Sequence, residues 1–292
     1  MKTILITGAT GYLGTALTKN FLDKNFFIIA LALNRNEKFL YESDKNCKVY
    51  YLSEESVEEI FAENNIDIVI HTATLYGRNN EKSVDMEKAN VEFPVSVLSA
   101  AAAHKVKLFI NTGTILASGL NAYSLTKSHF ADWLDLYADK IKCVNLKLDH
   151  FYGPYDKPVK FIVWIFEQLR NNVPEIDLTE GSQTRDFIYI DDVVAAFETV
   201  VMNEDKLNND KVTKLEVGTN NKTSIRDIVL MIKEELHNTT TKLNFGAVPF
   251  RKNEVLDYEV DSWRLRCLGW TPKYTSVRDG IRKIIEIENG VK

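Results

Sequence analysis

Along the first half of the chain, continuous apolar runs alternate with stretches in which apolar residues recur every three or four positions. The runs at 3–7, 27–33, 49–52, 66–71 and 106–111 have the length and β-branched content of strands covered on both faces. The intervening spacing predicts helices. One opens near Tyr12, and one opens at Ser53 with Glu54 and Glu55 and carries the stripe Val57, Ile60 and Phe61. A third runs from about Val84 to His104 with Met86, Asn90, Phe93, Val97 and Ala101 on one face, and a fourth carries Tyr123, Lys127, Phe130, Leu134 and Tyr137. Strand and helix in turn, with short connections, predict an α/β fold: a doubly wound parallel sheet with a smaller C-terminal lobe. Residues 1–150 read as the sheet domain, joined by a strand and helix returning from the 180–220 region, and 151–292 mainly as the lobe. Gly153-Pro154 marks the crossing; helices follow at 159–169 and 191–201, and Ser224 with Asp227 and Ser276 with Asp279 cap two more.

The first strand stops at Thr7-Gly8-Ala9-Thr10-Gly11-Tyr12-Leu13-Gly14. Glycines at 8, 11 and 14 permit a tight turn, close approach of a ligand to the backbone and close helix-on-strand packing, so a pyrophosphate would rest on the N–H groups of the helix that follows. Gly8, Thr10, Gly11, Tyr12, Leu13 and Gly14 are therefore candidate cofactor contacts. The second strand ends in Asn34-Arg35, about twenty residues past the last glycine, where such folds read the adenosine ribose. A carboxylate there would bind the 2′-hydroxyl of NAD, but the chain has none, and Arg35 is either a partner for the 2′-phosphate of NADP or a solvated arginine. His71-Thr72-Ala73-Thr74 either lines the cofactor, with Ala73 in contact, or simply ends a strand. Asn90 interrupts an apolar stripe, and Pro94 cannot donate to its carbonyl. That pair suggests an ordered water and a proton path, or a core asparagine satisfied by backbone.

Composition narrows the classes. A net charge of −5 over 292 residues without a basic cluster excludes nucleic acid as a partner, and no apolar run approaches membrane-spanning length. The apolar stretch before Gly8 is too short for a signal peptide. Cys47, Cys143 and Cys267 have no paired spacing, which fits reduced thiols in the cytoplasm, and the five histidines have no ligand spacing, so no metal is expected.

The sharpest chemistry is in the fifth strand and the helix after it. Thr112 ends the strand, and Tyr123 and Lys127 lie four apart on one helical face that continues into a buried stripe. A phenol of ordinary pKa near 10 is a poor acid at neutral pH. An ammonium about 4 Å away at an effective dielectric near 20 would favour the phenolate by up to ~4 kcal/mol, less the lysine's own desolvation. Thr112, Tyr123 and Lys127 are therefore expected to be catalytic, with Tyr123 acidified by Lys127.

Taken together, the glycine turn, the Tyr123 and Lys127 pair, GSQTRDFIYIDD at 181–192 and Leu268-Gly269-Trp270 resemble the extended short-chain dehydrogenase/reductases over nearly the whole chain. Segments 76–81, 109–114, 147–153 and 252–254 are similar to the CDP-paratose and CDP-abequose synthase branch. The resemblance implies a Rossmann domain holding NADP(H), a homodimer, and 4-ketoreduction of a CDP-linked 4-keto-3,6-dideoxyhexose for surface polysaccharide. By the same resemblance Thr112 and Tyr123 bond the reacting oxygen, Lys127 holds the nicotinamide ribose, and Asn90 supports proton relay. It further assigns Arg78, Thr114, His150, Arg185 and Arg251 to the nucleotide sugar, with Asn253 and Glu254 near its ribose; for Arg185 and Arg251 the alternative is a surface salt bridge. Gly113 and Thr114 stand where 4,6-dehydratases of this family carry aspartate and glutamate, so elimination has no acid and base here. A 4-epimerase with tightly bound NAD, a 4-ketoreductase of another 6-deoxyhexose or heptose nucleotide, and a catalytically silent NADP-binding protein are the alternatives.

Overall fold

A computed structural model describes residues 1–208 and 211–290. In chain order the first half contains β1 (Thr3–Thr7), α1 (Tyr12–Asp23), β2 (Phe27–Ala32), β3 (Cys47–Tyr51), α2 (Val57–Glu63), β4 (Ile68–His71), α3 (Ser83–Glu87), a π turn (Lys88–Glu92), α4 (Phe93–Ala103), β5 (Leu108–Thr114), α5 (Ala122–Tyr137) and β6 (Lys142–Leu148). The second half adds β7 (His150–Tyr152), α6 (Phe161–Arg170), β8 (Glu175–Leu178), β9 (Thr184–Arg185), β10 (Phe187–Tyr189), α7 (Ile190–Met202), β11 (Thr213–Val217), β12 (Thr223–Ser224), α8 (Ile225–Glu235), β13 (Lys242–Phe245), α9 (Trp263–Cys267) and α10 (Val277–Gly290).

The chain divides into two units. The first comprises Met1–Leu148, Val194–Glu216 and Cys267–Gly269, and the second Asp149–Val193, Val217–Arg266 and the residues from Trp270 on. A seven-stranded sheet has the order β11-β6-β5-β4-β1-β2-β3, and the pairings from β3 through β6 are parallel. This is the doubly wound order, with the strand sequence reversing beside β1. Its central strands are largely apolar because helices cover both faces: Leu5, Ile29, Val69 and Phe109 pack with Ile60, Val97, Phe130 and Leu134 in one core. The second unit pairs β7 with β10, β9 with β12 and β8 with β13 in three short ribbons. It is pinned by Asp192, whose carboxylate accepts from Lys273 N and Tyr274 N while its carbonyl accepts from Trp270 Nε1.

Two local expectations are corrected. The helix expected to open at Ser53 begins at Val57, because Ser56 and Glu59 form the capping box. Glu54 and Glu55 instead serve Arg35 and Tyr51 N. The single helix expected from 84 to 104 is interrupted. Pro94 lacks the N–H that would continue the α register, and the turn before it widens so that Phe93 N donates to Lys88 O. Among the described residues no helix is long and apolar enough to cross a membrane.

Candidate active site

In the first unit, β1 hands the chain to α1 through a turn that only glycine fits at two points. Gly8 has φ +66°, and a Cβ there would lie 2.7 Å from Ala73 N; a Cβ on Gly14 would lie 2.1 Å from Gly8 O. Gly11 caps α1 without a side-chain hydrogen bond, and no acidic residue occupies the first turn. The opening N–H groups of α1 are thus left for an anion, which fits a dinucleotide diphosphate. Ala73 lies against this turn, its N–H donating to Thr7 Oγ1 at 3.3 Å.

Beyond β2 the arrangement differs from expectation. Arg35 is bound by Glu54 through two hydrogen bonds of 2.6 and 2.7 Å and lies over the Tyr51 ring. Asn34 Oδ1 accepts from Asn36 N, and the turn brings back a carboxylate that the sequence reading left out. Glu37 accepts from Thr10 Oγ1 at 2.5 Å and from Leu33 N at 3.4 Å. The turn-forming Asn34-Arg35-Asn36 was the available signal for it.

A polar row crosses the sheet in register: Thr7, His71, Asn111 and Asn145, all buried. Thr7 Oγ1 accepts from Thr72 N and Ala73 N, so its own proton goes to His71 Nδ1 at 2.8 Å and the imidazole carries hydrogen on Nε2. Burial, then the charge of Lys127, hold His71 well below the usual histidine range. Its ring sits among Phe93, Phe109 and Phe130, so His71 is part of the core.

Asn90 is 1% exposed and fully engaged. Its amide donates to Leu75 O (2.9 Å) and Thr126 Oγ1 (3.0 Å), and its oxygen accepts from Leu75 N (2.8 Å) and Thr74 Oγ1 (3.1 Å). Those bonds use the whole capacity of a carboxamide. The side chain therefore clamps the segment after β4 to α5, which is the backbone-satisfied alternative, and has no bond left for a relay water.

The fifth strand continues past Thr112, where the sequence reading ended it, to Thr114, because Gly113 and Thr114 still pair with β6; within it the hydroxyl of Thr112 is buried without a hydrogen-bond partner. Asn121 and Ser124 form a capping box that starts α5 and sets Tyr123 and Lys127 one turn apart. The Tyr123 hydroxyl bonds Thr114, whose Oγ1 also accepts from Leu116 N. Tyr76 stacks on Tyr123 with ring centroids 5.1 Å apart, and Arg78 lies over Tyr76 at 5.1 Å. The expected acidification by Lys127 is overturned. Burial pushes the phenol above its ordinary range and Tyr76 adds to the rise; Thr114 and Arg78 oppose it. Burial likewise holds Lys127 down, to about 8. Desolvation is the largest cause at both groups, and Lys127 is not among those that shift Tyr123. Gly113 is closed to any side chain, since a Cβ would fall 2.3 Å from Asn145 Oδ1, and that oxygen is fixed by Asn111 Nδ2 at 2.9 Å.

The second unit carries His150, Arg185 and Arg251. His150 is joined to two residues that sequence reasoning missed: Asp149 Oδ1 takes His150 Nδ1–H and the Tyr258 hydroxyl, each at 2.5 Å. A separation of 109 residues hides Tyr258 from any local motif. Burial and Asp149 push the Tyr258 phenol far above its usual value. Arg185 is nearly covered; it donates to Glu254 at 2.6 Å and its guanidinium lies over Tyr258. Arg185 thus makes an ion pair, though a largely covered one and not the surface salt bridge named as the alternative. Arg251 is exposed, its carbonyl accepting from Glu254 N.

A family model described as the NAD dependent epimerase/dehydratase family matches residues 4–215. The chain is 32% identical over 297 residues to a CDP-abequose synthase of Salmonella muenchen, covering 98% of each chain. Two solved structures share the fold. A UDP-glucose 4-epimerase with UDP-glucose from Thermotoga maritima matches with TM-score 0.83 and 20% identity, over 99% of this chain and 100% of that one. A Thermus thermophilus UDP-glucose 4-epimerase in complex with NAD matches with TM-score 0.81 and 19% identity, over the same shares.

Proposed function

The chain belongs to the NAD dependent epimerase/dehydratase family, and from that premise we propose that it is an NADPH-dependent 4-ketoreductase of a CDP-linked 4-keto-3,6-dideoxyhexose, giving CDP-paratose or CDP-abequose in the cytoplasm. One observation carries the reading: a buried, unpartnered Thr112 hydroxyl lies near the end of β5 next to Gly113, where a Cβ would fall 2.3 Å from Asn145 Oδ1. A carbonyl oxygen completes the hydrogen bonding of Thr112, whereas the carboxylate that elimination requires has no room beside it.

A nicotinamide dinucleotide held on the glycine turn at Gly8, Gly11 and Gly14 would supply the hydride for C4. Tyr123 then gives its phenolic proton to O4. That transfer runs downhill even from a phenol of raised pKa, because the alkoxide of a secondary alcohol is the stronger base. Thr112 donates to the same oxygen and holds the ketone in place. The phenolate left behind is met by the hydrogen bond from Thr114 and by the charge of Arg78. The opening N–H groups of α1 hold the diphosphate of the cofactor, and Arg35 is the partner for a 2′-phosphate. His150, Arg185 and Arg251 are the polar groups of the second unit for the nucleotide sugar. A second copy is the proposed partner for the groove lined by Val84, Val91, Val95 and Trp133 together with the charged Glu87, Lys88 and Glu92, where Val84 and Trp133 are exposed.

The test is NADPH oxidation across a panel of 4-keto nucleotide sugars, with the stereochemistry of the product at C4 assigned. Stoichiometric oxidation with a CDP-linked 4-keto sugar is the expected result. Purified protein that retains NAD, interconverts 4-hydroxy epimers and consumes no added reductant would establish an epimerase instead.

A further inference from the structure

In the second unit a chain of contacts joins Arg185 to His150. Glu254 takes the Arg185 guanidinium at 2.6 Å, the guanidinium lies 5.5 Å from the centre of the Tyr258 ring, and the Tyr258 hydroxyl reaches Asp149 Oδ1 at 2.5 Å. The same oxygen is 2.5 Å from His150 Nδ1. A carboxylate only accepts, so Tyr258 gives it the phenolic O–H and His150 gives it Nδ1–H. Burial and the charge of Asp149 push the Tyr258 phenol up, which keeps that proton on the donor. Asp149 is 8% exposed, and its other oxygen is buried without a partner, so no competing bond turns the carboxylate away from the ring. Phe187 sets the plane of the imidazole, edge to face at 5.4 Å and paired with His150 across β7 and β10.

With Nδ1 committed as a donor, the lone pair of the neutral imidazole falls on Nε2. The bonds to Asp149 and Tyr258 leave Nε2 unused, and the His150 side chain is 42% exposed. The ring therefore offers a ligand an acceptor and calls for a donor. On a 4-keto-3,6-dideoxyhexose linked through C1 to a diphosphate, the C2 hydroxyl is the one donor that the sugar ring retains. We propose that Asp149, oriented by Tyr258, fixes the Nδ1–H tautomer of His150 so that Nε2 accepts a hydrogen bond from the C2 hydroxyl of the nucleotide sugar. Asp149 and Tyr258 are thus positioning residues acting through His150. The choice of hydroxyl rests on the substrate proposed above; the tautomer does not.

The experiment has two arms on the full-length protein. Long-range ¹H–¹⁵N spectra of histidine-labelled protein in mildly alkaline buffer read which ring nitrogen bears hydrogen, with His150→Gln to assign the signal. The parent and Tyr258→Phe are expected to show the Nδ1–H form. Asp149→Asn, whose amide can give a hydrogen bond to Nδ1 in place of taking one, is expected to lose it. Calorimetric binding of CDP-glucose, CDP-2-deoxyglucose and CDP reads the contact. The parent should bind CDP-glucose about five- to tenfold more tightly than its 2-deoxy analogue. That preference should fall to within about twofold in Asp149→Asn and by about half in Tyr258→Phe, with CDP binding in both variants within about twofold of the parent. Thermal unfolding checks that each variant is folded, and Tyr258→Phe, which keeps its ring under Arg185, decides the matter where Asp149→Asn does not fold. An Nε2–H ring in the parent, or a preference for the 2-hydroxyl that survives both substitutions, would overturn the assignment. So would a parallel loss of CDP and CDP-glucose, which would put His150 on the diphosphate. A parent that shows the Nδ1–H ring and binds none of the three would overturn the nucleotide-sugar reading and the C2 contact, with the positioning of His150 upheld.

Discussion

Two polar sites in the first unit make opposite use of burial. Asn90 has every donor and acceptor of its amide answered within 3.1 Å. One element away, Thr112 has a buried hydroxyl with no partner, Lys127 is a buried cation held down to about 8, and Tyr123 is a phenol held up. The sites adjoin, because the Asn90 amide grips Thr126, the neighbour of Lys127. A closed network adds to stability, whereas an open one costs the unmet desolvation of each group. The difference teaches that α5 is held by the first kind of site so that it can carry the second. The open groups are the ones available to a ligand.

The largest expected effect is on the open side. Tyr123→Phe keeps the ring on Tyr76 and removes the hydroxyl with its proton and its bond to Thr114, so turnover should fall about 10²- to 10⁴-fold while dinucleotide binding is nearly unchanged. Steady-state NADPH oxidation and a binding titration read the two separately. Near-normal turnover would remove Tyr123 from the chemistry. On the closed side, Asn90→Ala strands donors and acceptors of Leu75, Thr74 and Thr126 together, and should cost about 3 kcal/mol of unfolding free energy. Denaturant melts measure it. A variant of parental stability that had lost turnover would reverse the contrast and make Asn90 part of the reaction.

Much of this was legible in residue order, and the remainder was hidden for physical reasons. The apolar runs are continuous because both faces of the sheet are covered, so β1, β2, β4 and β5 could be read to within a few residues. The turn at Gly8 to Gly14 and the pair Tyr123 and Lys127 depend on spacing alone, and spacing is local. Ser53 and Ser56 are both acceptable caps, and only the reach of Glu59 decides for Ser56. Whether Pro94 ends, kinks or widens its helix cannot be read from the missing N–H alone; here the turn widens, with Phe93 N on Lys88 O. The sign of the shift at Tyr123 needs the depth of burial, which no spacing contains. Glu37 and Tyr258 meet their sites only through folding, one by a reversal of the loop and the other across the length of the second unit.

Lys127 supplies a smaller effect of opposite sign. Burial lowers it from 10.5 to about 8, so at pH 7 the folded protein carries a charge it would rather lose. The native state gives up this proton before the unfolded state does. Stability should therefore rise with pH between about 8 and 10.5, and the full penalty, up to ~3 kcal/mol, is felt below about 8. Lys127→Met should gain about 1–3 kcal/mol at pH 7, a gain that shrinks above pH 8, and should lose turnover. Unfolding at pH 7 and pH 10 checks both sign and trend. A destabilised variant would mean that Lys127 is paid for by contacts as well satisfied as those of Asn90.

The smallest effect concerns the two side chains layered over Tyr123. Tyr76 raises the phenol's pKa and Arg78 lowers it, although both stand on the same segment and one covers the other. Tyr76→Leu gives up a stacked aromatic pair, about 0.5–1.5 kcal/mol, and should lower the pKa of Tyr123. Arg78→Gln removes a screened charge and should raise it, with stability changed by only a few tenths of a kcal/mol. Following the Tyr123 Cζ resonance through an alkaline titration of ¹³C-labelled protein separates the two. Shifts of the same sign would mean that the segment acts only as a cover, and that the open site is shaped by exclusion of water without any contribution from the charge above it.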